Sequence, residues 1–175
     1  HLDKKEFAFR YWVSQKIREF GGISVLCHPY WDAYGEYNMP TDMLEFLLKN
    51  GIFDALEVCD DDDHTGNGVN LQTAMYNQLR AEGYKIPIVG ASDCHNLNSD
   101  LFGKFFTYTF CDSLNDIQQA VMQLRSVAVE RIGNEYRVYG PFRLVKYARF
   151  ITDQFEPYNA EIKKRYSKKL FVAID

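Results

Sequence analysis

Apolar side chains at Phe7, Trp12, Val13, Ile17 and Phe20 recur close to the helical period and predict an amphipathic helix over Lys4 to Phe20, ended by Gly21-Gly22. Ile23 to Cys27 (ISVLC) then reads as a strand, stopped by His28-Pro29 because proline cannot continue a central ladder. Tyr30 to Pro40 is an aromatic loop carrying Tyr30, Trp31, Tyr34 and Tyr37. Thr41 is placed to cap a helix over Asp42 to Asn50, with Gly51 as its stop, and Phe53 to Val58 is the next strand. The acidic stretch Cys59 to Asn70 leads into a helix from about Leu71 to Glu82, closed by Gly83. Pro87-Ile88-Val89 is a short β-branched run with the character of a central parallel strand. A strand-loop-helix unit thus recurs three times, the pattern that gives parallel strands covered by helices.

Past His95 the pattern changes. Asn96 to Asp100 is a loop, Phe105 to Phe110 alternates like a strand, and Ser113 caps a helix reaching Leu124. Val127 to Ile132 and Tyr136 to Tyr139 form a hairpin through Gly133-Asn134, a helix covers Phe142 to Phe155, and the charged AEIKKRYSKK continues it or frays.

Composition narrows the class. With 175 residues, 46% of them apolar, the chain is long enough for one domain with a substantial core. A formal charge of -4 weighs against a strong nucleic-acid-binding surface. No run of apolar residues is long enough to span a membrane and the first residues lack a secretory signal, so a cytoplasmic protein is expected. Cys27, Cys59, Cys94 and Cys111 show no C-x-x-C spacing and read as reduced, mostly buried thiols.

In parallel α/β arrangements chemistry gathers at the carboxyl ends of strands. Here those ends carry His28, then Glu57, then Asp93 and His95. If the extended conformation persists past Val89, period two sends Asp93 and His95 to one side and Cys94 to the other. A carboxylate and an imidazole on one side suit a divalent cation. Asp60 to Asp63 with His64 offer oxygens for an extra cation or form a solvated acidic face, and Thr65-Gly66-Asn67-Gly68 is a phosphate cradle or a plain turn. Tyr30 and Trp31, with Tyr34 and Tyr37, are able to wall a substrate pocket or simply pack, and Lys104 is a substrate-phosphate contact or an ordinary strand residue.

GGISVLCHPYW (Gly21 to Trp31), DALEV (Asp54 to Val58) and VGASDCH (Val89 to His95), in this order, resemble the later motifs of the PHP superfamily, named for polymerase and histidinol phosphatase. The likeness runs from about Phe7 to Thr109, and VYGPFRLVKYARF resembles the tail of bacterial members in the carbaryl-esterase-like branch. The resemblance implies a distorted seven-stranded, TIM-like β/α barrel holding up to three divalent ions (zinc, manganese or iron) and hydrolysing phosphoesters of a small phosphorylated or nucleotide-like substrate with a metal-activated water. It makes His28, Asp93 and His95 metal-ligating and catalytic, and Glu57 a support behind them. On this reading residues 1–140 are the C-terminal part of a barrel and 141–175 a helical extension packed on it. The family's opening H-x-H motif does not occur in this chain, so an incomplete barrel and a missing N-terminal segment of the same protein are expected. Two other readings remain: a non-catalytic nucleotide-binding or regulatory module, and a carboxyl-ester or amide hydrolase with the same metals.

Overall fold

The computed structural model describes residues 3–33, 35–59, 67–95, 103–132 and 135–166, without the side chains of 33, 67–69 and 155–166. Helix α1 (Lys4–Glu19) is capped by Asp3, whose carboxylate accepts the N–H groups of Lys5 and Glu6 at 2.8 and 3.0 Å. Strand β1 (Val25–Leu26) follows, then a small antiparallel ribbon of β2 (Asp32–Ala33) and β3 (Glu36–Tyr37). Helix α2 (Thr41–Lys49), β4 (Ala55–Cys59), α3 (Asn67–Ala81) and β5 (Ile88–Gly90) complete the first half.

The strands of this half form a parallel sheet in the order β1-β4-β5. Every residue of β4 is buried, as a parallel strand covered on both faces requires. Leu56 and Val58 enter the main core with Met43, Leu44, Leu47 and Leu48 of α2 and Leu79 of α3. The α1 end is fastened by Asp54, which accepts from Arg18 Nη2 at 2.7 Å and from the N–H and hydroxyl of Ser24, each at 2.8 Å. Buried Ser14 of α1 reaches the Ser24 hydroxyl at 2.9 Å and donates to the Ile52 carbonyl.

The second half is antiparallel. β6 (Phe105–Thr109), β7 (Ser126–Ile132) and β8 (Glu135–Tyr139) form a sheet in that order, with a short 3-10 turn and α4 (Ile117–Met122) between β6 and β7. Helix α5 (Phe142–Tyr166) packs on β7 and β8, where Ala148 meets Val127 and Val129.

The expected barrel does not form: six of the eight described strands make two three-stranded sheets, one parallel and one antiparallel, neither of which closes, and the other two make the β2-β3 ribbon. The reason lies at β5. Its outer edge is taken not by another strand's backbone but by hydroxyls of the second sheet. Thr107 Oγ1 accepts from Gly90 N–H and donates to Gly90 C=O, both at 2.9 Å, and Ser126 donates to Ile88 C=O at 2.8 Å. Three polar groups on that edge are thereby paired without a ladder, and the parallel sheet stops. Contact this close requires glycine: a Cβ on Gly90 would stand 2.8 Å from the Phe106 carbonyl and 2.7 Å from Cys59 Sγ.

Local expectations shift in smaller ways. β4, not the Pro87-Ile88-Val89 strand, is central in the parallel sheet. Thr41 is the first helical residue of α2 instead of its cap, since Pro40 holds the cap position. The aromatic loop contains the β2-β3 ribbon, and α3 starts at Asn67, inside the expected loop. Of the cysteines only Cys59 is fully buried; none of the four is in a disulfide and Cys27 is exposed. The expected loop at 96–100, the acidic cluster Asp60 to His64, the turn at Thr65-Gly66 and Tyr34 lie outside the described residues.

Candidate functional site

Because β1, β4 and β5 run parallel, their carboxyl ends open on the same side of the sheet. His28 follows β1 by two residues, while Asp93 and His95 follow β5 by three and five. β1 and β5 are separated by β4, so their backbones stand about 10 Å apart.

His28 is half-buried and its backbone sits at φ +30°, in the left-handed region. That conformation costs a non-glycine residue about 1 kcal/mol and needs support from its surroundings. The support is Glu57, 2% exposed in β4, whose Oε2 accepts the His28 N–H at 2.6 Å. The His28 carbonyl accepts from Trp31 N–H at 3.1 Å, which closes a turn. Asn38, brought back by the β2-β3 ribbon, places Nδ2 3.4 Å from that carbonyl and 3.5 Å from His28 Nδ1.

Asp93 sits at φ +46°, a second non-glycine residue in the left-handed region. The extended backbone expected past β5 therefore does not persist. Asp93 and His95 meet nonetheless, with His95 Nε2 3.3 Å from Asp93 Oδ1, because the turn at Asp93 does what strand alternation was expected to do. Both are open to water, His95 with 84% of its side chain exposed and Asp93 with 42%. Two donor atoms each about 2.05 Å from one tetrahedral zinc stand roughly 3.3 Å apart. The pair thus matches two adjacent corners of a cation's coordination, a spacing also compatible with a direct ion pair.

The aromatic candidates divide. Tyr30 is 4% exposed, belongs to the main core, and its hydroxyl lies 3.3 Å from Thr41 Oγ1; burial raises its pKa above the ordinary tyrosine value. Trp31 keeps an exposed face, with its ring 6.2 Å from the His28 imidazole at 71°, and Tyr37 is likewise exposed while its ring meets Tyr30 edge-on. Lys104 places its ammonium 5.0 Å from the Phe105 ring.

The structure brings together His28 with Glu57, and Asp93 with His95. Among the described residues no group of three His, Cys, Asp or Glu side chains is placed to hold one metal ion. The sequence does not single out Asn38, since a lone asparagine in YNMP carries no motif; only the fold puts it beside His28. Nor does the sequence flag the left-handed backbone at His28 and Asp93, which no glycine marks.

No family model, curated protein or solved structure matches this chain. Among the described residues no helix is long and apolar enough to cross a membrane.

Proposed function

We propose that the strand-end cluster belongs to a metal-dependent hydrolase of the PHP type, acting on phosphoester bonds. The observation that carries this reading is the coincidence of position and strain: two of the three non-glycine residues with positive φ among the described residues are His28 and Asp93. Strained backbone collects at functional sites, where a side chain is held in place against local preference. The 3.3 Å separation of Asp93 Oδ1 and His95 Nε2 adds to it.

Asp93 and His95 would hold one divalent cation of the zinc, manganese or iron kind, and His28, aimed by Glu57 and Asn38, would serve a second position. Such a cation lowers the pKa of bound water to about 7 and neutralises a phosphoryl oxygen. On this reading the ions would need ligands beyond these three. Trp31 offers an exposed ring for stacking against an aromatic leaving group or a base.

The test is turnover of bis-p-nitrophenyl phosphate and p-nitrophenyl phosphate with added manganese or zinc. Metal-dependent release that is abolished by Asp93→Ala is expected; release that is absent with both substrates, or unchanged in the variant, contradicts the reading. A second reading, a nucleotide-binding module without catalysis, draws on the lack of a three-ligand group among the described residues. It predicts nucleotide affinity that survives chelation and Asp93→Ala but falls with Trp31→Ala.

A further inference from the structure

A cleft of about 820 Å³ lies where the β6-α4-β7 connection meets the start of α5, sharing no residue with the strand-end site. Its volume falls in the range of small-molecule sites. Phe110, Leu124, Leu144, Tyr147, Phe150 and Ile151 give it apolar walls.

Its polar groups are few and uneven. Arg125 is half-buried, and its Nε is shut off from water with no acceptor. Guanidinium N–H groups always donate, so burying one unpaired is unfavourable. The root of the side chain cannot drift away to relieve this: Arg125 N–H donates to the Ala120 carbonyl, and its own carbonyl accepts from Phe110 N–H, both at 2.8 Å. Leu124 beside it is the third non-glycine residue with positive φ, at +60°. Glycine is the usual residue in such a helix-ending turn, and the leucine there supplies a cleft wall from a backbone conformation that side chains disfavour.

Charge decides the occupant. The ionised side chains lining the cleft are Arg125, Arg143 and Asp112, a balance of +1. One negative charge matches this. A phosphate monoester, carrying about -1.5 to -2, would leave charge facing Asp112. Pro141 and Arg143 place the N-terminal end of α5 on the same cleft, which further favours an anion.

We propose that this cleft binds a monoanionic carboxylic acid with an apolar body, its carboxylate on the Arg125 guanidinium and its body against Leu124, Leu144 and Phe150. The carboxylate supplies the acceptor that the protein lacks.

The experiment is calorimetric titration of the whole chain with sodium octanoate, 1-octanol and octyl phosphate at low ionic strength. Octanoate is expected to bind about tenfold tighter than the uncharged alcohol, since a charge-assisted fork contributes on the order of 1.4 kcal/mol. Octyl phosphate is expected to bind more weakly than octanoate. Arg125→Gln should remove the advantage of octanoate and leave 1-octanol unchanged, with Arg125→Lys in between. Leu144→Trp, filling the cleft, should block both octanoate and 1-octanol. Equal binding of acid and alcohol, no binding of octanoate, octyl phosphate matching octanoate, or an octanoate affinity indifferent to Arg125→Gln in a variant with unchanged circular dichroism would each overturn the proposal.

Discussion

The two sheets use their inward-facing carboxylates in different ways. In the parallel half, buried Ser14, Ser24 and Glu57, with the largely covered side chain of Asp54, tie backbone across elements: Asp54 holds the start of β1 to α1, and Glu57 holds the end of β1 in an unfavourable conformation. In the antiparallel half the buried carboxylate, Glu130, is answered by side chains of the neighbouring strand, Tyr139 at 2.9 Å and Arg137 at 3.6 Å, and its strands pair in regular register. A polar group that fixes backbone at a strand end positions the residues just beyond that strand. One paired within a ladder serves the sheet itself. The candidate chemistry depends on the first kind.

The largest effect is expected at the seam. Gly90→Ala puts a methyl group against a carbonyl of β6 that cannot move independently of its ladder, and should cost about 4 kcal/mol, lowering the melting temperature by about 10 °C. A near-silent substitution there would mean that the two halves are not in firm contact.

Asp54→Asn comes next, at about 2 kcal/mol near neutral pH, because it breaks a carboxylate only 8% exposed from Ser24 and from Arg18, whose own partial exposure softens the loss. Burial works to raise the Asp54 pKa, but Arg18 and Ser24 outweigh it and hold the carboxyl below its ordinary 3.8. The stability it contributes is therefore complete above 3.8 and lost as pH falls through the lower folded value. Denaturant titrations should show the difference between variant and parent steady from neutral down to about pH 5 and shrinking below the ordinary carboxyl value. A difference that grows on acidification would reverse the assigned sign.

Tyr139→Phe, the counterpart in the antiparallel half, should cost about 1.5 kcal/mol, since Glu130 keeps Arg137 nearby. The smallest effect has the opposite sign. His28→Gly should stabilise the fold by about 1 kcal/mol by relieving the backbone at φ +30°, while weakening metal binding. Loss of stability on that substitution would remove backbone strain as a feature of the site.

The same division separates the parts of the molecule that are legible in the sequence from those that are not. Local period locates α1, α2, β4, β6, the β7-β8 hairpin and the start of α5 to within a few residues, because each displays one apolar face or a buried run. It misses the β2-β3 ribbon, whose two-residue strands are too short to show a period. The parallel pairing of β1, β4 and β5 is implied by alternating strands and helices, whereas barrel closure comes from resemblance and fails at β5. Nothing in the single residues Thr107 and Ser126 announces that their hydroxyls will end a sheet. At the site, His28, Asp93 and His95 are readable as strand-end residues; the turn that joins Asp93 to His95 is not, since it rests on a left-handed aspartate in place of glycine.

The most direct measurement is binding of manganese and zinc to the purified protein by calorimetry and elemental analysis, repeated on Asp93→Ala and His95→Ala. A metal site at this strand end predicts at least one bound ion per chain and an affinity about tenfold or more weaker in either variant. A parent that holds no metal, or variants that hold it as tightly as the parent, would contradict it.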